Sequence, residues 1–368
     1  MSKIEINIDS TVLGSAGCIK QLILKTVGTI ENGQPTGGFK EHGVPIKMGY
    51  GICVHKFIDE MYKSGGHYPI ASKAALDMFN GLALVHDKKS THLSDTKHLL
   101  TTCYGVWSHI ENDSEFEVMM INGNCYKCKG QGALKIEVKT PQEGNLHETI
   151  DNITKHYRLE QCSHCNGAKQ LMQPATEITF SLPYFKDDYV KINLCGTIDR
   201  IGKIRGGCYC IRDWKTTSSW DNNNYFKSYE LSRQLRIYTL ACKIMSRLHP
   251  DSILGKIGAT NMGAAIDAIF LKPKANDNAI RSSVVFQYKE LDLQLFEWTL
   301  EQICKRLSTA VKELHFPKEG IANGNCEMRH GKCSFWNVCA ADDSVSQILL
   351  KRDFEQKKFN PLAYNEIG

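Results

Sequence analysis

The chain carries Gly196-Thr197-Ile198-Asp199-Arg200-Ile201 and, beyond a Gly206-Gly207 pair, Ile211-Arg212-Asp213-Trp214-Lys215-Thr216. Both stretches are rich in apolar and β-branched residues, as strands are, and the two glycines between them supply a hairpin turn, so the strands are expected to lie side by side. Residues two apart on a strand face the same way. Asp213 and Lys215 therefore point into one space, Trp214 turns into the protein on the other side, and Asp199 reaches that space from the neighbouring strand. Two carboxylates hold a hard divalent cation through oxygen, and an adjacent ammonium can orient or deprotonate a water and steady the charge that builds on a phosphate. Read alone, Asp-x-Lys is also compatible with an exposed strand bearing a cross-strand ion pair.

Other residues extend the pattern. Gln234-Leu-Arg-Ile-Tyr238 falls on a helix expected over Leu231–Leu248, and residues four apart share a helix face. Upstream, Gly51-Ile-Cys-Val-His55 opens another helix, and Glu177 precedes the first aspartate. His, Glu, Asp, Asp-x-Lys and Gln-x-x-x-Tyr, in that order, resemble the RecB-type branch of the PD-(D/E)xK nucleases.

The resemblance implies an α/β fold: a restriction-endonuclease-like core in which a mixed central sheet is flanked by helices. It implies that His55, Asp199 and Asp213 are side-chain ligands of Mg²⁺ or Mn²⁺, with the Trp214 carbonyl as a backbone ligand. Lys215 would be the catalytic lysine, Gln234 and Tyr238 would help place the substrate strand, and Glu177 would join the catalytic set. The second motif has Asp where many relatives have Glu, a shorter arm that the family also tolerates. The implied activity is metal-dependent DNA hydrolysis, as an exonuclease on single strands or duplex ends, in phage replication, recombination or repair and beside a protein partner of those processes. Two alternatives stay open: an inactive nuclease fold that binds DNA or docks a partner, and an RNA nuclease. The intact Asp, Asp-x-Lys set speaks against the first, since a scaffold has no need of buried like charges around an absent metal.

Fifteen cysteines in 368 residues is a high count. The start, Met1-Ser-Lys-Ile-Glu-Ile-Asn-Ile-Asp, has no long apolar core of a secretory leader, so metal ligation is favoured over disulfides and a cytoplasmic location is expected, that of the bacterial host if the protein is phage-encoded. Cys125-x-x-Cys128 and Cys162-x-x-Cys165 form two knuckles, each followed by glycine, that suit tetrahedral zinc in a ribbon-like insertion, with a hairpin or loop over 133–158. The first knuckle resembles the Cys-x-x-Cys-x-Gly-x-Gly repeat of DnaJ zinc modules, without other DnaJ features. Redox-active pairs are the alternative.

Near the C-terminus lie Cys326, Cys333 and Cys339. RecB-like nucleases with an iron–sulfur cluster, including AddB and the CRISPR-associated exonucleases, take one cysteine from near the N-terminus and three from near the C-terminus. Under that resemblance Cys18 is the fourth ligand of a [4Fe–4S] cluster that clasps the two ends of the nuclease domain. The six-residue gap between Cys326 and Cys333, against two in those relatives, also leaves room for zinc. Phe316-Pro317 and the final cysteine spacing resemble the tails of phage-encoded members. The remaining cysteines (Cys53, Cys103, Cys195, Cys208, Cys210, Cys242 and Cys304) read as small core residues.

An apolar content of 42% allows one large core plus an appendage. No apolar run approaches the roughly 20 residues that cross a membrane. The expected organisation is a helical N-terminal part of the nuclease domain (1–120), a zinc-binding insertion (121–170), the catalytic core (171–290), a C-terminal helix and cysteine cluster (291–344) and a tail (345–368). Helices are expected at Ala71–His86, His98–Ile110 and Leu291–Leu314, and strand signal continues through Ala265–Leu271 and Ser283–Tyr288. Net charge is only +5, from 45 basic and 40 acidic side chains, so DNA binding needs a local basic groove. Lysines and arginines gather at Lys191–Arg212 and Lys227–Arg247, around the expected site.

Overall fold

Gly206 and Gly207, at φ of 104° and 87°, make the turn at the centre of the sheet, in a region of backbone space that favours glycine. The structure is a computed structural model that describes residues 3–357 except 32–33, 86–89, 125–130, 132, 139–155, 163–165, 167, 169, 220–221, 321–325 and 329–330. The chain divides into two compact units, Met1–Val118 with Thr176–Gly368, and Met119–Ala175.

The larger unit is built on a seven-stranded mixed sheet of β1 (Ile4–Ile8), β2 (Phe116–Val118), β3 (Thr176–Lys186), β4 (Val190–Ile204), β5 (Tyr209–Thr217), β6 (Gly263–Phe270) and β7 (Ala279–Ser282). The long β4 organises it. One edge of β4 is covered antiparallel by β3, from Lys186 opposite Lys191 to Thr176 opposite Arg200, and then by β2. Two strands share the other edge: β1 pairs parallel with Val190–Leu194, and β5 pairs antiparallel with Arg200–Lys203. Beyond its hairpin, β5 continues alone to pair in parallel with β6, and β7 closes the sheet against β6. All eight residues of β6 are buried, as expected of a strand covered on both faces.

Helices cover both faces. Near the N-terminus lies α1 (Ile19–Thr26), and on one face α2 (Ile46–Lys63), α3 (Tyr68–Gly81) and α4 (Thr96–Asn112) pack around Trp214, Ile269 and Leu271. Asp213 precedes Trp214 and so faces the opposite side, where α5 (Arg233–Leu248) lies. Ser232 caps α5, its hydroxyl accepting the Leu235 N–H at 3.4 Å. The chain then runs through α6 (Glu290–Glu313) and α7 (Asp343–Asp353). Leu24, Phe39, Phe335, Val338, Leu350 and Phe354 form an apolar cluster that joins the two ends of the chain, with the Phe335 and Phe354 rings stacked at 4.7 Å. Phe354–Lys357 also pairs antiparallel with Gly38–Glu41.

Two expectations need correction. Residues 1–120 are not only helical. Ile4, Ile6 and Ile8 alternate with polar Glu5 and Asn7, and this period of two places β1 in the central sheet with the three isoleucines buried. The strand expected at Ser283–Tyr288 lies earlier, at Ala279–Ser282, followed only by an isolated bridge from Phe286 to Ala264. The Asn278 side chain accepts the Lys272 N–H at 2.7 Å, which closes the preceding turn early.

In the smaller unit, Met120–Asn124 pairs with Gln170–Pro174, and Ala133–Val138 with His156–Gln161, where a hairpin or loop is expected. Cys125, Cys128 and Cys165 lie outside the described residues, while Cys162 is buried. Among the described residues no helix is long and apolar enough to cross a membrane.

Candidate active site

The ladder between β4 and β5 runs from Lys203 opposite Tyr209 to Arg200 opposite Arg212. The next residues are Asp199 and Asp213, and here the strands part, because β4 continues toward β1 and β5 toward β6. Parting frees main-chain groups that must find other partners. The Trp214 N–H donates to Asp199 Oδ2 at 2.7 Å. The Trp214 carbonyl lies 3.0 Å from His55 Nε2, and the Thr197 carbonyl accepts the Tyr238 hydroxyl at 2.5 Å. Side chains expected at the site thus bond main-chain groups at the fork.

His55 arrives on α2, where Gly51, His55, Asp59 and Lys63 recur every fourth residue and share one face. Gly51 lets the helix close on β5, since a β-carbon there would fall 2.9 Å from the Thr216 hydroxyl. Nδ1 of His55 is 3.4 Å from Asp199 Oδ2. With Nε2 at the Trp214 carbonyl, the other ring nitrogen is turned toward that carboxylate. Ligand atoms of His55, Glu177 and Asp199 all lie within 4.8 Å of one another. Nitrogen and carboxylate donors in this spacing fit a divalent cation.

Glu177 stands at a break in the β3 ladder with φ of 48°, the left-handed region that a side chain rarely adopts. Thr176 and Ile178 pair with β4 on either side of it. Behind it, Asp59 accepts Lys63 Nζ at 2.6 Å and the Thr176 hydroxyl at 3.1 Å. Sequence reasoning missed Asp59 and Lys63; their spacing of four and eight residues after His55 is the signal that could have found them.

Asp213 is fully buried and pairs with Lys215, two residues along the same strand face. Its other oxygen accepts Gln234 Nε2 at 2.9 Å, and the same amide reaches the Tyr238 hydroxyl at 2.7 Å. The helical spacing of Gln234 and Tyr238 therefore places both at the fork. His55, Glu177, Asp199, Asp213, Lys215, Gln234 and Tyr238 all converge on this one place.

Electrostatics reflect the crowding. Burial, and then the neighbouring Asp199 and Asp59, push the Glu177 carboxyl up to about 9. Burial and Asp199 raise Asp213 to about 6, against the opposing pull of Lys215. For Lys215, burial disfavours the charge, but Asp213 and Asp199 together outweigh it and hold the ammonium above its ordinary range.

The expected basic groove needs correction. Arg200 and Arg212 alternate with the aspartates along their strands and so face the other side of the sheet. Both are buried: Arg200 pairs with Asp267 and Tyr62, and Arg212 pairs with Asp113 and lies 3.7 Å from Asp267. Their guanidiniums also lie over the Phe116 ring, at 4.9 and 4.5 Å, so neither can meet a phosphate. Arg233 donates to the Leu13 carbonyl, and Arg236 covers Tyr288 and Phe296.

Among the cysteines near the two ends of the sequence, a β-carbon on Gly320 would fall 2.8 Å from the Cys326 sulfur and 3.5 Å from that of Cys18. The Cys333 N–H donates to the Cys326 carbonyl at 2.9 Å. Burial raises the Cys339 thiol, and Cys18 and Cys333 add to the rise. The four cysteines therefore share one corner. Of the other seven, six are buried and Cys208 is half-buried.

A pH prediction follows from Glu177. Its folded pKa lies above its unfolded value, so the native state keeps a proton that the unfolded chain loses, and stability drains as pH rises from the ordinary carboxylate range toward about 9. In metal-free protein, the thermal midpoint should fall between about pH 5 and about pH 8, and Glu177→Gln should flatten that fall and raise the midpoint at the upper end. Parallel midpoint curves for the two proteins would contradict the assignment.

No curated protein matches the chain. A family model of the PD-(D/E)XK nuclease superfamily matches residues 47–340, a span that includes every residue gathered at the fork. On that match the chain belongs to the PD-(D/E)XK nuclease superfamily.

Proposed function

We propose that the protein is a metal-dependent deoxyribonuclease of the RecB type, acting on single strands or duplex ends in phage replication, recombination or repair. The observation that carries the reading is the fork itself: Asp199 and Asp213 face each other where their strands part, with His55 and Glu177 beside Asp199 and Lys215 paired to Asp213. His55, Glu177, Asp199, Asp213 and the Trp214 carbonyl would hold Mg²⁺ or Mn²⁺. Such an ion, when bound, polarises a phosphoryl oxygen and lowers the pKa of a water.

The remaining roles belong to the chain. Lys215 keeps its positive charge because two carboxylates oppose its desolvation, so it can steady the charge that grows on the attacked phosphate. Gln234 fixes the Asp213 carboxylate through one oxygen and leaves the other to Lys215. Tyr238 anchors that amide to the Thr197 carbonyl, so the two side chains brace the wall along which a substrate strand would run. Deoxyribose over ribose is supported by the RecB-type motif order alone.

Near the termini, we propose that Cys18, Cys326, Cys333 and Cys339 hold a [4Fe–4S] cluster and that Cys125, Cys128, Cys162 and Cys165 hold zinc. The gathering of the first four in one corner supports the former, and the Cys-x-x-Cys spacing supports the latter.

Two experiments test these assignments. Asp213→Asn and Lys215→Ala should each abolish cleavage of end-labelled DNA in Mg²⁺ or Mn²⁺ while the protein stays folded; wild-type rates in both would refute the site. The same assay on RNA decides the sugar preference. For the cysteines, protein purified without oxygen should be brown, carry about four iron and one zinc per chain, and lose its iron in Cys18→Ser. Colourless protein with zinc at both sites would refute the cluster.

A further inference from the structure

Behind the fork, on the opposite face of the sheet, lies a buried ionic cluster that the proposed mechanism does not use. Asp267 of β6 pairs with Arg200 of β4, lies 3.7 Å from Arg212 of β5 and accepts the Ser282 hydroxyl of β7. Arg200 also donates to the Tyr62 hydroxyl on α2. We propose that Asp267 is a positioning residue for the cation seat: through Arg200, Arg212 and Tyr62 it holds, from behind, the three elements that bring His55, Asp199 and Asp213 together. This rests on the fork binding a divalent cation as described above.

Three features support the assignment. First, Arg200 follows Asp199 and Arg212 precedes Asp213, so each guanidinium is one peptide away from a proposed ligand, on the other side of the pleat. Fixing the arginine on one face fixes the main chain that aims the carboxylate on the other. Second, Arg200 opposite Arg212 is the last rung of the β4–β5 ladder before the strands part. Like charges directly opposite on neighbouring strands repel, and the fully buried Asp267 is the anion that both arginines share. Third, Tyr62 lies seven residues beyond His55, about two turns along α2, so its contact with Arg200 ties the helix that carries His55 to the strand that carries Asp199.

The chemistry suits the task. A carboxylate offers two oxygens: Oδ2 takes Arg200, and Oδ1 takes Ser282 and faces Arg212. Along the sheet, Asp267 is the β6 partner of Trp214, whose N–H and carbonyl serve the fork. The Arg200 guanidinium is held from the sides as well, 4.9 Å over the Phe116 and Trp214 rings and 5.8 Å over that of Tyr62. Burial disfavours the charge on Asp267, but Arg200 and Arg212 outweigh it and hold the carboxyl below its ordinary range, so the cluster stays ionised at neutral pH. A buried ion pair is often no more stabilising than apolar packing of the same volume. What apolar packing would not supply is direction, and here the pairs run to each element that carries a ligand.

Calorimetric titration with Mn²⁺ tests the inference on the wild type, Asp267→Asn, Tyr62→Phe and Leu350→Ala. The last opens the apolar cluster that joins the two ends of the chain, and is a control that loses stability away from the ionic cluster. Partners behind metal ligands typically matter about 10–100-fold in affinity, so Asp267→Asn should weaken Mn²⁺ binding at least about tenfold. Tyr62→Phe keeps the ring and removes one hydrogen bond, for a loss of about threefold. Leu350→Ala, titrated below its thermal midpoint, should bind as the wild type does. Wild-type affinity in folded Asp267→Asn, or in Tyr62→Phe should Asp267→Asn not fold, would overturn the inference alone, as would an equal loss in Leu350→Ala. A wild-type chain that binds no Mn²⁺ would overturn the cation seat and this inference with it.

Discussion

The structure turns on competition for one edge of β4. Strand β1 takes Val190–Leu194 and β5 takes Arg200–Lys203, so Cys195–Asp199 run between the two partners. A continuous ladder would have paired Asp199 with Asp213 through the main chain and brought two carboxylates together with nothing between them. Parting the strands separates those demands: Asp199 takes the Trp214 N–H, Tyr238 takes the Thr197 carbonyl, and His55 meets the Trp214 carbonyl. The site is therefore part of the main-chain bonding of the sheet and not an addition to its surface.

Charge is sorted by the pleat. On β4 and β5 the aspartates alternate with arginines, so carboxylates collect on one face and guanidiniums on the other. The guanidinium face is neutralised within the protein by Asp267 and Asp113, and removing one partner of such a buried pair typically costs about 3–5 kcal/mol. The carboxylate face is not. Lys215 and Lys63 offset part of it, and what is left appears as the raised pKa values of Glu177 and Asp213. Acids crowded and buried in this way cost the folded chain stability when they ionise.

Much of this was legible in the residues. The hairpin at Gly206-Gly207, the common face of Asp213 and Lys215, the inward turn of Trp214 and the helical pairing of Gln234 with Tyr238 are all consequences of strand and helix periodicity. Other features were not legible because they depend on contacts distant in sequence. That β1 joins β4 is a pairing across more than 180 residues, and its five-residue alternation is short enough to pass for part of a helical region. Arg200 and Arg212 looked like groove residues because sequence records their charge but not the Asp267 that waits on β6. Asp59 and Lys63 were hidden for a similar reason: a helix stripe gains meaning only once the partner strand is known.

The central claim is that the fork between Asp199 and Asp213 is a divalent-cation seat. Calorimetric titration with Mn²⁺ tests it most directly, on the wild-type chain, on Asp199→Asn and on Asp187→Asn, a control carboxylate at the turn before β4. The account predicts binding in the wild type and the control, and a loss of at least about tenfold in affinity in Asp199→Asn, where both the ligand charge and the Trp214 N–H acceptor are weakened. Wild-type stoichiometry and affinity in Asp199→Asn would contradict it.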